Sequence, residues 1–161
     1  MTRYAASTEV SSSRSRDEIE RTLERYGADQ FLYGWKETDA LVGFRMNGRQ
    51  VRFVLPLPAR GDKEFTEYMS RGKLWERTEE AARKLYEQAV RQRWRALALV
   101  IKAKLEAVES GIAVFEDEFM ANIVLPNGRL VGEEVRPAIA NAYETGNMPT
   151  MLPDYSGGAR G

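Results

Sequence analysis

From Thr78 to Ser110 the chain runs without glycine or proline, and apolar residues recur through it at helical intervals. Tyr86, Val90, Trp94, Leu97, Ile101, Leu105 and Val108 are spaced 4, 4, 3, 4, 4 and 3 apart. Alternating threes and fours keep side chains on one face of a 3.6-residue helix. The spacing predicts a single helix of about 30 residues, roughly 45 Å long at 1.5 Å per residue. Such a helix buries its stripe only if the rest of the chain packs along it. In a chain of 161 residues, large enough to bury about two-thirds of its unfolded surface, it becomes the spine of one domain.

What it packs against is readable upstream. Three segments, 30–37, 40–46 and 49–55, alternate apolar and polar residues with the period of a strand. Asn47-Gly48 between the second and third is the preferred pair for a type I′ turn, which needs positive φ at both positions. Thr38-Asp39 is the expected turn between the first and second. These turns set Trp35 against Val42 and Phe53, and Tyr33 against Phe44 and Val51, on one face. The other face carries the rows Lys36/Leu41/Val54, Gly34/Gly43/Arg52 and Leu32/Arg45/Gln50. Both turns put the aromatic residues on the same side, and a one-residue slip would invert every side chain. The pattern predicts an antiparallel β-meander, with a bare glycine pair beside Arg52.

The remaining segments are less periodic. Residues 1–14 are polar and serine-rich, expected as a flexible arm before a short helix capped at Ser15 and closed at Gly27. Ile19, Leu23 and Tyr26 form that helix's buried stripe. Residues 56–76 mix proline, glycine and charge, which predicts a long loop. After Gly111, Phe115 and Phe119 mark a short helix, "PNG" at 126–128 a turn between short strands, and Gly146 the end of a second helix. The tail, 147–161, is expected to be extended or disordered. The whole reads as an α+β fold: short N-terminal helix, three-stranded antiparallel meander, long spine helix and small C-terminal helix–hairpin–helix unit, one domain over 15–146.

Composition narrows the chemistry. The chain contains neither histidine nor cysteine. That removes catalytic triads, thiolate nucleophiles, disulfides and cysteine- or histidine-ligated zinc. The expectation is a non-enzymatic protein without cofactor or metal, in a reducing cytoplasm. No apolar run is long enough to span a membrane, and the first residues lack the apolar core of a secretory signal. Glu116, Asp117 and Glu118, with Glu133 and Glu134, could hold magnesium, but consecutive helical residues point apart, so a solvated charge run is the simpler reading.

With 24 basic and 24 acidic residues, net charge does not argue for a polyanion partner; arrangement can. Lys84, Arg91, Arg95 and Lys102 fall within about 40° of one direction on the long helix, flanking the apolar stripe. They cover 18 residues, about 27 Å of helix, a length over which a phosphodiester strand could be tracked. Lys36, Arg45 and Arg52 form a second cationic group on the polar face of the sheet. For both groups the alternative is an ordinary solvated surface. In "RQRWR" (91–95) Trp94 lies on the apolar stripe, so it reads as core rather than as a stacking platform.

The stretches "RYGADQFLYGW", "GFRMNGRQVRFVLPLP", "RQRWRALALVIKAKLEAVESGI", "FEDEFMANIVLPNG" and "NAYETGNMPTMLP" resemble a family of small, uncharacterised proteins of tailed bacteriophages and prophages. That resemblance covers most of residues 25–153 and implies a host-cell cytoplasm, but no activity. A meander followed by a long helix is also similar in topology to Rad52-type single-strand annealing proteins. This likeness implies oligomeric rings and single-stranded DNA held in a basic groove between sheet and helix. Together these expectations give a single-stranded-DNA-binding or annealing protein of phage replication or recombination, with Lys36, Arg45, Arg52, Lys84, Arg91, Arg95 and Lys102 on the strand. The alternative is an interaction module that binds and inhibits a host or defence protein.

Overall fold

The computed structural model describes residues 3–36 and 38–152, with side chains described from Ser12 onward. Its chain order is α1 (Arg3–Arg25), β1 (Gln30–Lys36), β2 (Asp39–Met46), β3 (Arg49–Pro56), α2 (Lys63–Thr66), β4 (Glu67–Ser70), β5 (Lys73–Glu76), α3 (Glu79–Glu109), α4 (Phe115–Phe119) and α5 (Val131–Thr145). The α+β class, the meander and the spine helix are as expected. Helix α3 starts at an N-cap, Thr78, whose hydroxyl accepts from the Ala81 amide at 3.2 Å, satisfying one of the orphan donors of the first turn. Tyr86, Val90, Trp94, Leu97, Ala98, Ile101 and Leu105 are its buried residues, the stripe read from sequence with Ala98 added and Val108 only half-buried against it.

One face of the three-stranded sheet, with Phe44, Val42, Val51 and Phe53, meets that stripe. Tyr33 and Trp94 touch across the interface with ring centroids 5.4 Å apart. Phe119 closes the end, edge-on to Phe44 at 5.8 Å and to Phe53 at 6.3 Å. Ile19 and Leu23 bring α1 into the same core. Asn47 and Gly48 have φ of 52° and 69°, the left-handed pair that the type I′ turn requires.

Four expectations change. Helix α1 begins at Arg3 rather than Ser15, so the segment expected as an arm is helical from Arg3 onward, and Ser15 lies inside the helix instead of capping it. Nothing from Arg3 to Ser13 is glycine or proline, and Ser12 is fully buried, which docks the added turns. The β1–β2 register is displaced by two residues, pairing Trp35 with Ala40, Tyr33 with Val42 and Phe31 with Phe44. A two-residue displacement keeps every side chain on its face, so alternation is blind to it. Polar contacts decide it: the Asp29 amide donates to the Arg45 carbonyl at 3.0 Å, and the Asp29 carboxylate binds the Arg45 guanidinium at 2.6 Å.

The displaced register also removes the bare glycine pair. Gly34 faces Leu41, and Gly43 faces Leu32, whose Cβ would sit 3.7 Å from a Cβ added at Gly43. Finally, 56–76 is not one long loop, because it contains α2 and the β4–β5 hairpin, paired Tyr68 with Trp75 and Met69 with Leu74. Its turn, Arg71-Gly72, has φ of 48° and 75°. An arginine in the left-handed region lacks the Asn-Gly signature, and strands of four residues are too short to establish a period.

The C-terminal unit follows its outline, with the expected hairpin reduced to single bridges. Ile123 bridges to Val51 on the β3 edge and Val124 to Leu130, after which α5 runs to Gly146 in a left-handed cap (φ 72°). Residues 147–152 carry neither helix nor strand, and the rest of the expected tail lies outside the described residues.

Candidate nucleic-acid interface

The seven cations singled out from the sequence divide over two surfaces. Lys36, Arg45 and Arg52 alternate with the core residues of their strands, so they project from the outer face of the sheet. Two of the three are engaged within the protein. Arg45 makes a forked contact with Asp29, through Nε at 2.9 Å and 3.1 Å and a terminal nitrogen at 2.6 Å. Those hydrogen bonds hold the Asp29 carboxyl below its ordinary pKa of 3.8 and raise that of the guanidinium. Arg52 donates to the Gly128 carbonyl at 2.9 Å, and its own carbonyl accepts from Asn122 at 3.1 Å. These contacts tie the sheet to the 122–130 segment. Lys36 is exposed at the end of β1, opposite Asp39 in the ladder.

The space between sheet and α3 is filled by Tyr33, Phe44, Phe53 and Trp94, so the exposed cations of α3 lie elsewhere. Lys84 sits near the start of the helix and pairs with Glu80 at 3.4 Å. Arg91, Arg95 and Lys102 face α1, which runs beside α3 in the same direction: Ser15 lines the same cleft as Gln88 and Arg91, and Arg25 the same cleft as Lys102.

Helix α1 contributes cations of its own, and sequence reading missed them. Arg14, Arg21 and Arg25 recur at i, i+7 and i+11 on one helical face, opposite Arg91, Arg95 and Lys102 at i, i+4 and i+11. Clefts of about 760 Å³ and 610 Å³ share Arg14 and Glu18, forming one trough between the helices. Its charged lining is these six cations and two carboxylates, Asp17 and Glu18. All six are exposed, and among the described residues none of them is in an ion pair. The arginine row on α1 was visible at its spacing. That it would lie alongside the row on α3 was not.

From Gln88 to Leu105, α3 carries five basic residues and no acidic one. The acidic residues weighed as metal ligands are occupied or dispersed. Lys104 binds Glu118 at 3.1 Å, Arg129 reaches Glu134 at 3.1 Å and Glu133 at 3.7 Å, and among the described residues no three acidic groups converge on one point. Trp94 is fully buried, as its place on the stripe predicted. No described helix is long and apolar enough to cross a membrane.

No protein-family model matches the chain, and no curated protein or solved structure matches it either.

Proposed function

We propose that the chain is a non-enzymatic binder of single-stranded nucleic acid and that the α1–α3 trough, rather than the sheet face, holds its phosphates. The observation that carries this is the contrast between the two cationic surfaces. Arg45 and Arg52 have partners within the fold, whereas the six trough cations have no ion-pair partner among the described residues. The six cations of the two rows outnumber the two carboxylates, Asp17 and Glu18, in the same trough, and a polyanion laid between the rows relieves the repulsion of that excess. Each row spans 11 residues, about 17 Å of helix, a length along which a single strand presents several phosphates.

The setting in phage replication or recombination rests on the resemblance of the sequence to phage proteins, while annealing draws on Rad52-type strand and helix order alone, because the sheet–helix groove of that likeness is filled here by Tyr33, Phe44, Phe53 and Trp94. A labelled oligonucleotide titrated with protein at low salt, read by fluorescence anisotropy, tests the binding. The expected result is saturable binding that Arg91→Glu with Arg95→Glu abolishes and Arg45→Glu with Arg52→Glu weakens far less. Absence of binding at low salt overturns the proposal, and equal loss in the two double variants returns the site to the sheet. The rival reading, a module that inhibits a host or defence protein, draws on the exposed Tyr68, Met69, Leu74 and Trp75 of the second hairpin.

A further inference from the structure

The β4–β5 hairpin forms a sheet of its own, hydrogen-bonded to no other strand among the described residues. A lone two-stranded hairpin is marginally stable in water, yet this one displays large side chains. Tyr68 and Trp75 are directly paired, so they share one face, and they are 42% and 52% exposed. Neither belongs to the core cluster. Exposed aromatic rings on an element with so little burial of its own need a reason outside the core.

The surroundings of the pair point to a ligand. Arg71 and Lys73 are exposed at the tip. Arg77 lies at the base with its guanidinium 5.2 Å from the Tyr68 ring centre, fixed by donation to the Glu67 carbonyl. Three cations against Glu67 and Glu76 make the hairpin surface positive, the sign that complements a phosphodiester chain. A depression at the foot of the hairpin adjoins the trough. It lies between α2 and α3, is lined by Glu64 and Phe65 immediately before β4, and shares Gln88 and Gln92 with the cleft that contains Arg91 and Arg95.

Resting on the proposed nucleic-acid function, we infer that Tyr68 and Trp75 form a stacking platform for unpaired bases of the strand whose phosphates lie along α3. Bases of any identity stack on aromatic rings, and each stack contributes about tenfold or more in affinity. The trough supplies charge without sequence preference, and the hairpin supplies the discrimination between a strand with accessible bases and one without.

The test compares a labelled oligo-dT with an abasic phosphodiester strand of equal length, against the full chain and the Tyr68→Ala/Trp75→Ala variant. The native chain is expected to favour oligo-dT by at least tenfold. The double alanine variant is expected to bind both strands alike, with unchanged affinity for the abasic strand. That unchanged affinity doubles as the control for folding, and Tyr68→Phe/Trp75→Phe, which keeps both rings, is expected to restore the preference. Equal binding of the two strands by the native chain overturns the platform while leaving the trough in place. An undiminished preference in the alanine variant also overturns it, as does loss of self-association in that variant at unchanged affinities, which would assign the hairpin to a second copy. Failure of both strands to bind removes the proposed function and the platform with it.

Discussion

At the scale of single residues, the contrast between Arg45 and Arg91 shows how far a side chain's neighbours decide its use. Both are arginines that sequence placed on a polar face. Arg45 is clamped by Asp29 through three short contacts, and Arg91 opens into the trough. The Asp29 carboxyl is held below 3.8 chiefly by the hydrogen bonds from Arg45. A carboxyl with a depressed folded-state pKa stabilises the fold above its unfolded value and loses that contribution as pH falls through the folded one. Asp29→Asn should therefore be less stable than the native chain at neutral pH, with the gap closing as pH drops below 3.8. Urea denaturation across pH 7 to 2 measures this, and a gap that persists at the acid end would show that the pair is not the cause. Because the pair is half-exposed (44% and 56%), the gap is expected to be modest.

At the scale of elements, α3 organises the molecule, and Trp94 is its central contact. The residue is fully buried and touches Tyr33, while its indole N–H meets no acceptor among the described residues. Trp94→Ala should cost about 3–5 kcal/mol by opening a cavity at the helix–sheet interface. Trp94→Phe should cost much less, because it keeps a ring and removes an unsatisfied donor worth about 1–3 kcal/mol. Thermal and chemical denaturation of the two variants should rank them in that order. Elements were legible where periodicity was long: α3 to within a residue, and the β2–β3 register through Asn47-Gly48. They were not where a short element rests on tertiary support, as in the β4–β5 hairpin, or where two registers present the same faces, as between β1 and β2.

At the scale of the whole molecule, a chain of zero net charge concentrates six cations and two carboxylates along one trough. Binding there should release counterions, so the logarithm of the affinity should fall with the logarithm of salt at a slope of up to about −4 if all six cations meet phosphates of a single strand. Arg91→Glu with Arg95→Glu should remove at least about 1.4 of that slope. Titrations at several salt concentrations read both values, and a slope near zero would mean that the trough holds no phosphate. The sequence by itself determined the α+β class, the spine helix and its buried stripe, the second hairpin register of the meander, and the absence of histidine and cysteine chemistry. These follow from local periodicity, turn stereochemistry and composition, which need no partner elsewhere in the chain. Only the tertiary structure decided which cations remain available. It placed Asp29 on Arg45 and the Gly128 carbonyl on Arg52, and it laid the arginines of α1 beside those of α3. Whether a charge is neutralised depends on residues distant in sequence coming within a few ångströms, and no local pattern encodes that.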